Sequence, residues 1–393
     1  MAGREVVIVG AVRTPIGSFL GSLSSVPATQ LGALAIREAL RRAGVEPTAV
    51  DEVIMGNVLQ AGEGQAPARQ AARHAGCPDT TPAWTLNKVC GSGLKAVISG
   101  AQAIALGDAE VVVAGGMESM SNVPYYDRAA RNGARMGNVE LVDGMIYDGL
   151  WDPYDRVHMG MCAEACAETQ DISRAQQDEY AMESTRRAAE AVKAGLFKPE
   201  IVPVEVAGRK GEKTLVDEDE GPKLARPEKI PSLKPVFKKD GTVTAANASS
   251  INDGAAAVVL MSADRAKAEG RQVLGRLTAW AGAARKPVEF TIAPADAVKK
   301  LLEKARLGTK DIDLWEINEA FAVVSIANNR LIGLDGKNVN VRGGAVVLGH
   351  PIGASGARIL VTLLHAMKDL GKRRGLATLC IGGGEAVAAI VER

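Results

Sequence analysis

The chain predicts an α/β protein in which one strand-and-helix unit occurs twice, with a long insertion between the copies. Three observations lead there. Residues 90–118 run from the glycine turn Cys90-Gly-Ser-Gly93 through an apolar-periodic helix, Leu94 to Leu106, into the strand Glu110 to Ala114 and a second glycine turn, Gly115-Gly116. Residues 350–385 repeat that order: His350-Pro-Ile-Gly-Ala-Ser-Gly356, a helical stretch from Ala357 to Leu370, the strand Leu376 to Cys380, then Gly382-Gly383-Gly384. Further upstream, Asp51 to Met55 and Asp311 to Trp315 are both short strands that follow a helix. Strands alternating with helices form mixed sheets with helices on their faces, so two similar domains are expected.

Taken in order, Val6-Val-Ile-Val9 opens the chain as a buried strand. The first repeat unit follows. Residues 119–248 then change texture: Ser121 to Pro153 is rich in Tyr, Asp, Arg, Asn and Gly without sustained periodicity. Ser173-Arg-Ala-Gln-Gln177 is the capped start of a helix. Gly208 to Lys239 is charged and carries four prolines. A long irregular insertion in a compact protein is usually a lid or a binding loop. Regular structure returns with Val258 to Met261. The expected division is residues 1–118 plus 249–271 as one core domain, 119–248 as the insertion, and 272–393 as the second core domain.

Composition narrows the function classes. Apolar residues make up 47% and charged residues 24% of the 393, a soluble globular balance. A net charge of +1 supplies no large electrostatic drive toward nucleic acid or a membrane surface. No apolar stretch approaches the roughly 20 residues of a membrane helix. The N-terminus lacks the regions of a signal peptide, so a reducing, cytoplasmic setting is expected. Five cysteines are too few for a disulfide framework in a chain of this length. Cys162 and Cys166, four apart, share a helix face. No second Cys or His pair completes a zinc site, so no metal is expected. Cys77, before Pro78, reads as structural.

Four separated stretches carry the chemistry: Cys90-Gly-Ser-Gly93, Asn318-Glu-Ala-Phe321, Gly349-His-Pro-Ile-Gly353 and Cys380-Ile-Gly-Gly-Gly384. They supply two thiols, an imidazole and a carboxamide, three of the four on glycine turns. Cys90 precedes a helix start, where partial positive charge and free amides favour a thiolate. Its plain alternative is a small buried residue. Pro351 fixes the backbone after His350, which positions an imidazole. A second thiol at Cys380 suits proton transfer, because its ordinary pKa of about 8.5 can be tuned toward working pH. Asn318 taken alone is a helix N-cap with Phe321 in the core.

Together these motifs, in this order and spacing from about residue 5 to residue 393, resemble those of thiolases. The resemblance implies a duplicated α/β core layered αβαβα, with the insertion as a loop domain over the substrate. It implies that Cys90 becomes acylated, and that His350 takes the Cys90 proton and then donates to an enolate-like thioester oxygen. By the same resemblance Cys380 moves the α-proton of an acetyl thioester. Asn318 holds a water that completes the enolate hole, and Glu319 supports it. The glycine turn after Cys380 exposes amides, and that of Gly382 with that of Cys90 is the expected oxyanion hole.

For substrate binding, the resemblance points to His158 and Met159 against a short acyl chain, with Phe237, Ala320 and Phe321 lining the pocket. Ser249 matches a serine that holds the pantetheine arm. Lys223 stands where relatives often place an arginine near the CoA nucleotide, keeping the charge without the bidentate fork. Thr185 stands where a potassium-binding branch has a tyrosine, so potassium is not expected. Glu385 after the glycines either raises the Cys380 pKa or is a solvated turn residue.

The implied activity is acetyl-CoA C-acetyltransferase: two acetyl-CoA giving acetoacetyl-CoA and CoA, through acetyl-cysteine and ping-pong kinetics. CoA thioesters are substrates, and no cofactor is implied. A homodimer or homotetramer is implied as the assembly, with neither nucleic acid nor membrane as partner. Within enzymology the rival is a broader 3-ketoacyl-CoA thiolase. A non-catalytic acyl-CoA-binding relative would be expected to lack one of Cys90, Asn318, His350 and Cys380, and all four are present. A ketoacyl synthase would use two histidines with one cysteine.

Overall fold

A computed structural model describes residues 3–208 and 212–393. The first half of the core contributes β1 (Val6–Arg13), β2 (Glu52–Gly56), β3 (Ala83–Leu86), β4 (Val111–Ser119) and β5 (Asn252–Ser262). The second contributes β6 (Gly275–Ala284), β7 (Leu314–Ile317), β8 (Arg374–Ile381) and β9 (Glu385–Glu392). They join in the order β7-β8-β9-β6-β1-β5-β4-β2-β3. The duplication is explicit in this order. β2 runs parallel to β4 as β7 does to β8, while β4–β5 and β8–β9 are both antiparallel. The halves meet at β1 and β6 through only Val7 opposite Arg276 and Ile8 opposite Gly275.

The longer helices are α1 (Ala28–Ala43), α2 (Pro67–Ala75), α3 (Ser92–Leu106), α4 (Met159–Thr169), α5 (Arg174–Lys193), α6 (Ala293–Ala305), α7 (Ala322–Ile332) and α8 (Ile352–Asp369). Strand alternation distributes their partners. Val7, Val111 and Val113 face α1 and α2, whereas Ile8, Val112 and Ala114 face α3 and α8. The second half-sheet does the same, placing Trp315, Leu376 and Ile390 under α6, and Leu379 and Ala389 against α3 and α8. The result is five layers, αβαβα, with α3 and α8 at the centre. Strands covered on both faces need continuous apolar runs, which explains why they read as such.

Two glycines set the distance between the central helices. A Cβ on Gly93 would lie 2.7 Å from the Ala357 amide nitrogen, and one on Gly356 would lie 2.3 Å from that of Leu94. The helix backbones therefore touch. This central position also corrects the membrane reading of the sequence. Val89–Leu106, with mean hydropathy 1.4, is long and apolar enough to cross a bilayer. Its apolarity is accounted for by half-sheets on either side.

The insertion begins α5 at Ser173 with the expected capping box, reciprocated by Gln176. It also forms α4, on which Cys162 and Cys166 share a face as their spacing suggested, but whose start the sequence did not mark. Its N-cap is His158, whose Nδ1 accepts from the Gly160 amide at 3.1 Å, a residue outside the usual capping set. Buried charge ties the insertion to the core: Arg13 on β1 donates to both carboxylate oxygens of Asp219, at 2.7 and 2.8 Å, and to Glu200 at 2.6 Å. Loss of one member of such a buried set costs about 3–5 kcal/mol.

Candidate active site

Cys90 sits on a locked turn. The Lys88 amide donates to Ser92 Oγ, which donates to the Val89 carbonyl, and the Gly91 amide donates to the Lys88 carbonyl. Val89 adopts φ 45°, a strained conformation for a β-branched residue of the kind that collects at functional sites. The turn presses on the end of β8, since a Cβ on Gly91 would lie 2.4 Å from Ile381 Cδ1. The amides of Gly382 and of Cys90 itself bear on the Cys90 sulfur, and both favour its charged form.

Burial works against the expected thiolate. Burial pushes the Cys90 thiol up to about 11, outweighing both amides, and the Glu118 carboxylate adds to the rise. The helix start contributes little because Cys90 precedes the N-cap Gly91, and the amides of Gly91 and Ser92 are already taken by carbonyls of their own turn. The thiol is protonated at neutral pH and needs a local base.

His350 supplies one. Its amide donates to Asn252 Oδ1 at 2.8 Å, which fixes the backbone before α8. Nδ1 lies 2.6 Å from Ser355 Oγ, and that hydroxyl donates its own proton to the Pro351 carbonyl at 2.9 Å. Ser355 must therefore accept from Nδ1–H, which leaves Nε2 as the bare nitrogen. Nε2 is buried with no partner among the described residues. Burial first, and then the Arg358 charge, push the imidazole down to about 3, so it rests neutral.

Cys90, His350 and Gly382 line one cavity of about 290 Å³ with His158, Met159, Phe237, Ser249, Ala320 and Phe321. Its wall is mostly apolar. His158 stacks on Phe237 with ring centroids 4.7 Å apart, and Phe237 meets Phe321 edge-on at 6.4 Å. The Ser249 amide donates to the Ala320 carbonyl at 3.0 Å, stitching two parts of the wall together.

Cys380 and Asn318 lie behind this surface. Cys380, at the end of β8, is fully buried, and burial with the neighbouring Cys90 and Cys166 raises its thiol well above the ordinary value. Asn318 follows β7, but it is not the N-cap its local sequence suggested: α7 starts at Ala322, capped from Phe321 without a side-chain bond. The Asn318 backbone amide donates to the Thr378 carbonyl at 3.0 Å, while its side-chain Nδ2 is buried and has no partner among the described residues. Glu319 accepts from Tyr180, Ser184, Asn340 and the Val346 amide, so it anchors the segment instead of facing the cavity.

Two charged residues stand elsewhere. Lys223 pairs with Glu218 at 2.9 Å, is half exposed, and does not line the cavity. Glu385, the first residue of β9, is half-buried and pairs with Lys88, and it is not among the groups that raise the Cys380 thiol.

Sequence reasoning missed Ser355, Arg358 and Glu118. Glu118 is fully buried and accepts from the Leu59 amide at 3.1 Å and the Gly353 amide at 2.8 Å, tying the turn after His350 to the first half-sheet. A glutamate within an otherwise apolar buried strand, and an arginine within an apolar helix, were the available signals.

The chain matches the thiolase N-terminal domain over residues 6–264 and the thiolase C-terminal domain over residues 271–393. It belongs to the thiolase family. It is 54% identical to an acetyl-CoA acetyltransferase of Pseudomonas aeruginosa, covering 99% of this chain and 100% of that one. It is 55% identical to acetyl-CoA acetyltransferase 2 of Arabidopsis thaliana, with 99% and 97% covered. Among solved structures, an acetyl-CoA acetyltransferase of Bacillus anthracis superposes with TM-score 0.97 at 44% identity, covering 100% of this chain and 99% of that one. A thiolase of Ascaris suum in complex with coenzyme A gives 0.94 at 47% identity, with 99% and 100% covered.

Proposed function

We propose that the protein is an acetyl-CoA C-acetyltransferase that joins two acetyl-CoA into acetoacetyl-CoA and free CoA, reversibly. The observation that carries this reading is the bare Nε2 of His350 in the same narrow cavity as a thiol flanked by two backbone amides. The resting thiol and imidazole are both neutral, so proton transfer must accompany attack. The Cys90 sulfur adds to the thioester carbonyl as its proton passes to His350, and the amides of Cys90 and Gly382 receive the developing oxyanion. CoA departs with a proton from Cys380, leaving acetyl-Cys90, an imidazolium and a Cys380 thiolate. That thiolate removes the α-proton of a second acetyl-CoA. The enolate-like oxygen rests against the His350 imidazolium and a water held by Asn318. Carbon attacks the acetyl group, and Cys90 leaves with the His350 proton, which restores the starting state.

A cavity of about 290 Å³ closed by Met159 and the Phe237–Phe321 pair supports a short acyl group. Ser249 is the contact for the pantetheine arm and Lys223 an outer cation for the CoA phosphates. No cofactor or metal is needed for these steps. A cytoplasmic dimer, paired into a tetramer, is the proposed assembly, because closed symmetric oligomers are the usual soluble form. Sedimentation showing a stable, active monomer refutes it. The activity itself is tested by thiolysis of acetoacetyl-, 2-methylacetoacetyl- and longer 3-ketoacyl-CoA. Acetoacetyl-CoA should be cleaved best, six-carbon and longer straight chains poorly, and the 2-methyl compound at an intermediate rate. Equal cleavage of a long chain replaces this reading with a broad-range thiolase.

A further inference from the structure

Arg358 is 2% exposed at the second turn of α8, yet it is poorly satisfied. Its Nη2 donates to Asn318 Oδ1 at 3.5 Å, its Nη1 lies 3.7 Å from Glu316 Oε2, and its Nε and Nη1 have no hydrogen-bond partner among the described residues. A buried guanidinium placed only for stability normally has its donors filled. Here its one directed contact is the oxygen end of the Asn318 carboxamide. That contact decides which way the amide points: with Oδ1 held by a cation, the other end is Nδ2, a donor, and Nδ2 is the buried unpartnered atom. Ser355, three residues earlier on the same helix, fixes the His350 ring.

We propose that Arg358 is a positioning residue for the reaction, acting through Asn318: it faces the carboxamide oxygen so that Nδ2 is left to hold the water that meets the developing enolate. α8 then orients both members of the enolate hole from successive turns, imidazole through Ser355 and carboxamide through Arg358. The proposal rests on the reading that Asn318 serves the enolate, and it locates the effect in the condensation step alone, since acyl transfer to Cys90 does not use the carboxamide.

The test is a double-mutant cycle with the full-length enzyme, reading acetyl transfer from acetyl-CoA to Cys90 by mass and α-proton exchange of acetyl-CoA in deuterated buffer. Arg358→Lys keeps the charge and loses the directed fork. It should acetylate within a few-fold of wild type while exchange falls about 10²-fold, the scale of one lost oxyanion-type donor. Arg358→Lys combined with Asn318→Ala should exchange no more slowly than Asn318→Ala alone, because both changes remove one function. Multiplying losses, or equal losses in acetylation and exchange, overturn the proposal and leave Arg358 structural. If Asn318→Ala alone retains exchange, the role of the carboxamide fails first, and the proposal with it. Should Arg358→Lys not melt cooperatively, Arg358→Gln, which keeps a donor at similar length, takes its place, and the readout becomes the ratio of exchange to acetylation, because losing the charge also acts on the His350 base; a fallen ratio supports the proposal and an unchanged ratio overturns it.

Discussion

Ser355 Oγ accepts from Nδ1 of His350 at 2.6 Å while giving its own proton to the Pro351 carbonyl, so one hydroxyl determines which imidazole nitrogen is free. Ser355→Ala leaves Nδ1–H buried without an acceptor and the tautomer unset. A lost hydrogen bond of this kind is worth about 1 kcal/mol or slightly more, so kcat should fall about tenfold with KM little changed. An unchanged kcat removes the orienting role.

Cys380 and Cys90 should separate cleanly in their half-reactions. Incubation with acetyl-CoA should acetylate Cys90, and label that persists in Cys90→Ala refutes the assignment. Cys380→Ser should still become acetylated on Cys90 but lose α-proton exchange by about 10²–10⁴-fold, the usual range for a general acid–base group. Retained exchange places the proton transfer elsewhere.

Met159→Ala should widen the acyl pocket without touching either thiol. Each excess methylene in a filled pocket costs about 1–3 kcal/mol, so the substitution should raise cleavage of six-carbon and longer substrates relative to acetoacetyl-CoA. Steady-state kcat/KM across a chain-length series checks it. An unchanged ratio means another wall limits length.

Acid stability should carry a signature of His350. Its folded pKa, about 3, lies below its ordinary 6.5, so on acidification the unfolded chain takes up the proton first. The contribution is complete above pH 6.5 and is lost as pH falls toward 3, at about tenfold in the unfolding equilibrium per unit. Denaturant melts of wild type and His350→Gln across that window should differ by one proton. Parallel pH profiles contradict a neutral buried imidazole.

Much of this was legible in the sequence because the chemistry needs particular residues on tight turns. Cys90, His350, Cys380 and Gly382 announce themselves by glycines that let backbone and substrate approach. The duplication also showed, since each half repeats turn, helix, strand and turn. What stayed hidden depended on distant packing. The rise of the Cys90 thiol stayed hidden because burial is a tertiary quantity, and the start of α4 because its cap is a histidine. Ser355 and Arg358 were overlooked inside an apolar helix, where only the fold reveals which groups they meet. The two half-sheets also join through a two-pair junction between β1 and β6 that no local pattern encodes.

The contact of Gly93 with α8 and of Gly356 with α3 has a mechanical consequence. Cys90 enters the cavity from the start of α3, and His350 from the start of α8, so the gap between nucleophile and base is gauged by two bare backbones. A gauge made of main chain does not shift with side-chain rotamers, and it holds its setting while substrates come and go. It also has no tolerance: one methyl group at either glycine would wedge the helices apart, and misplacement by 1 Å is enough to cost about 10²-fold in rate. The reaction is thus calibrated from the interior of the molecule, at the starts of the two central helices, by two residues that bring no side chain to it.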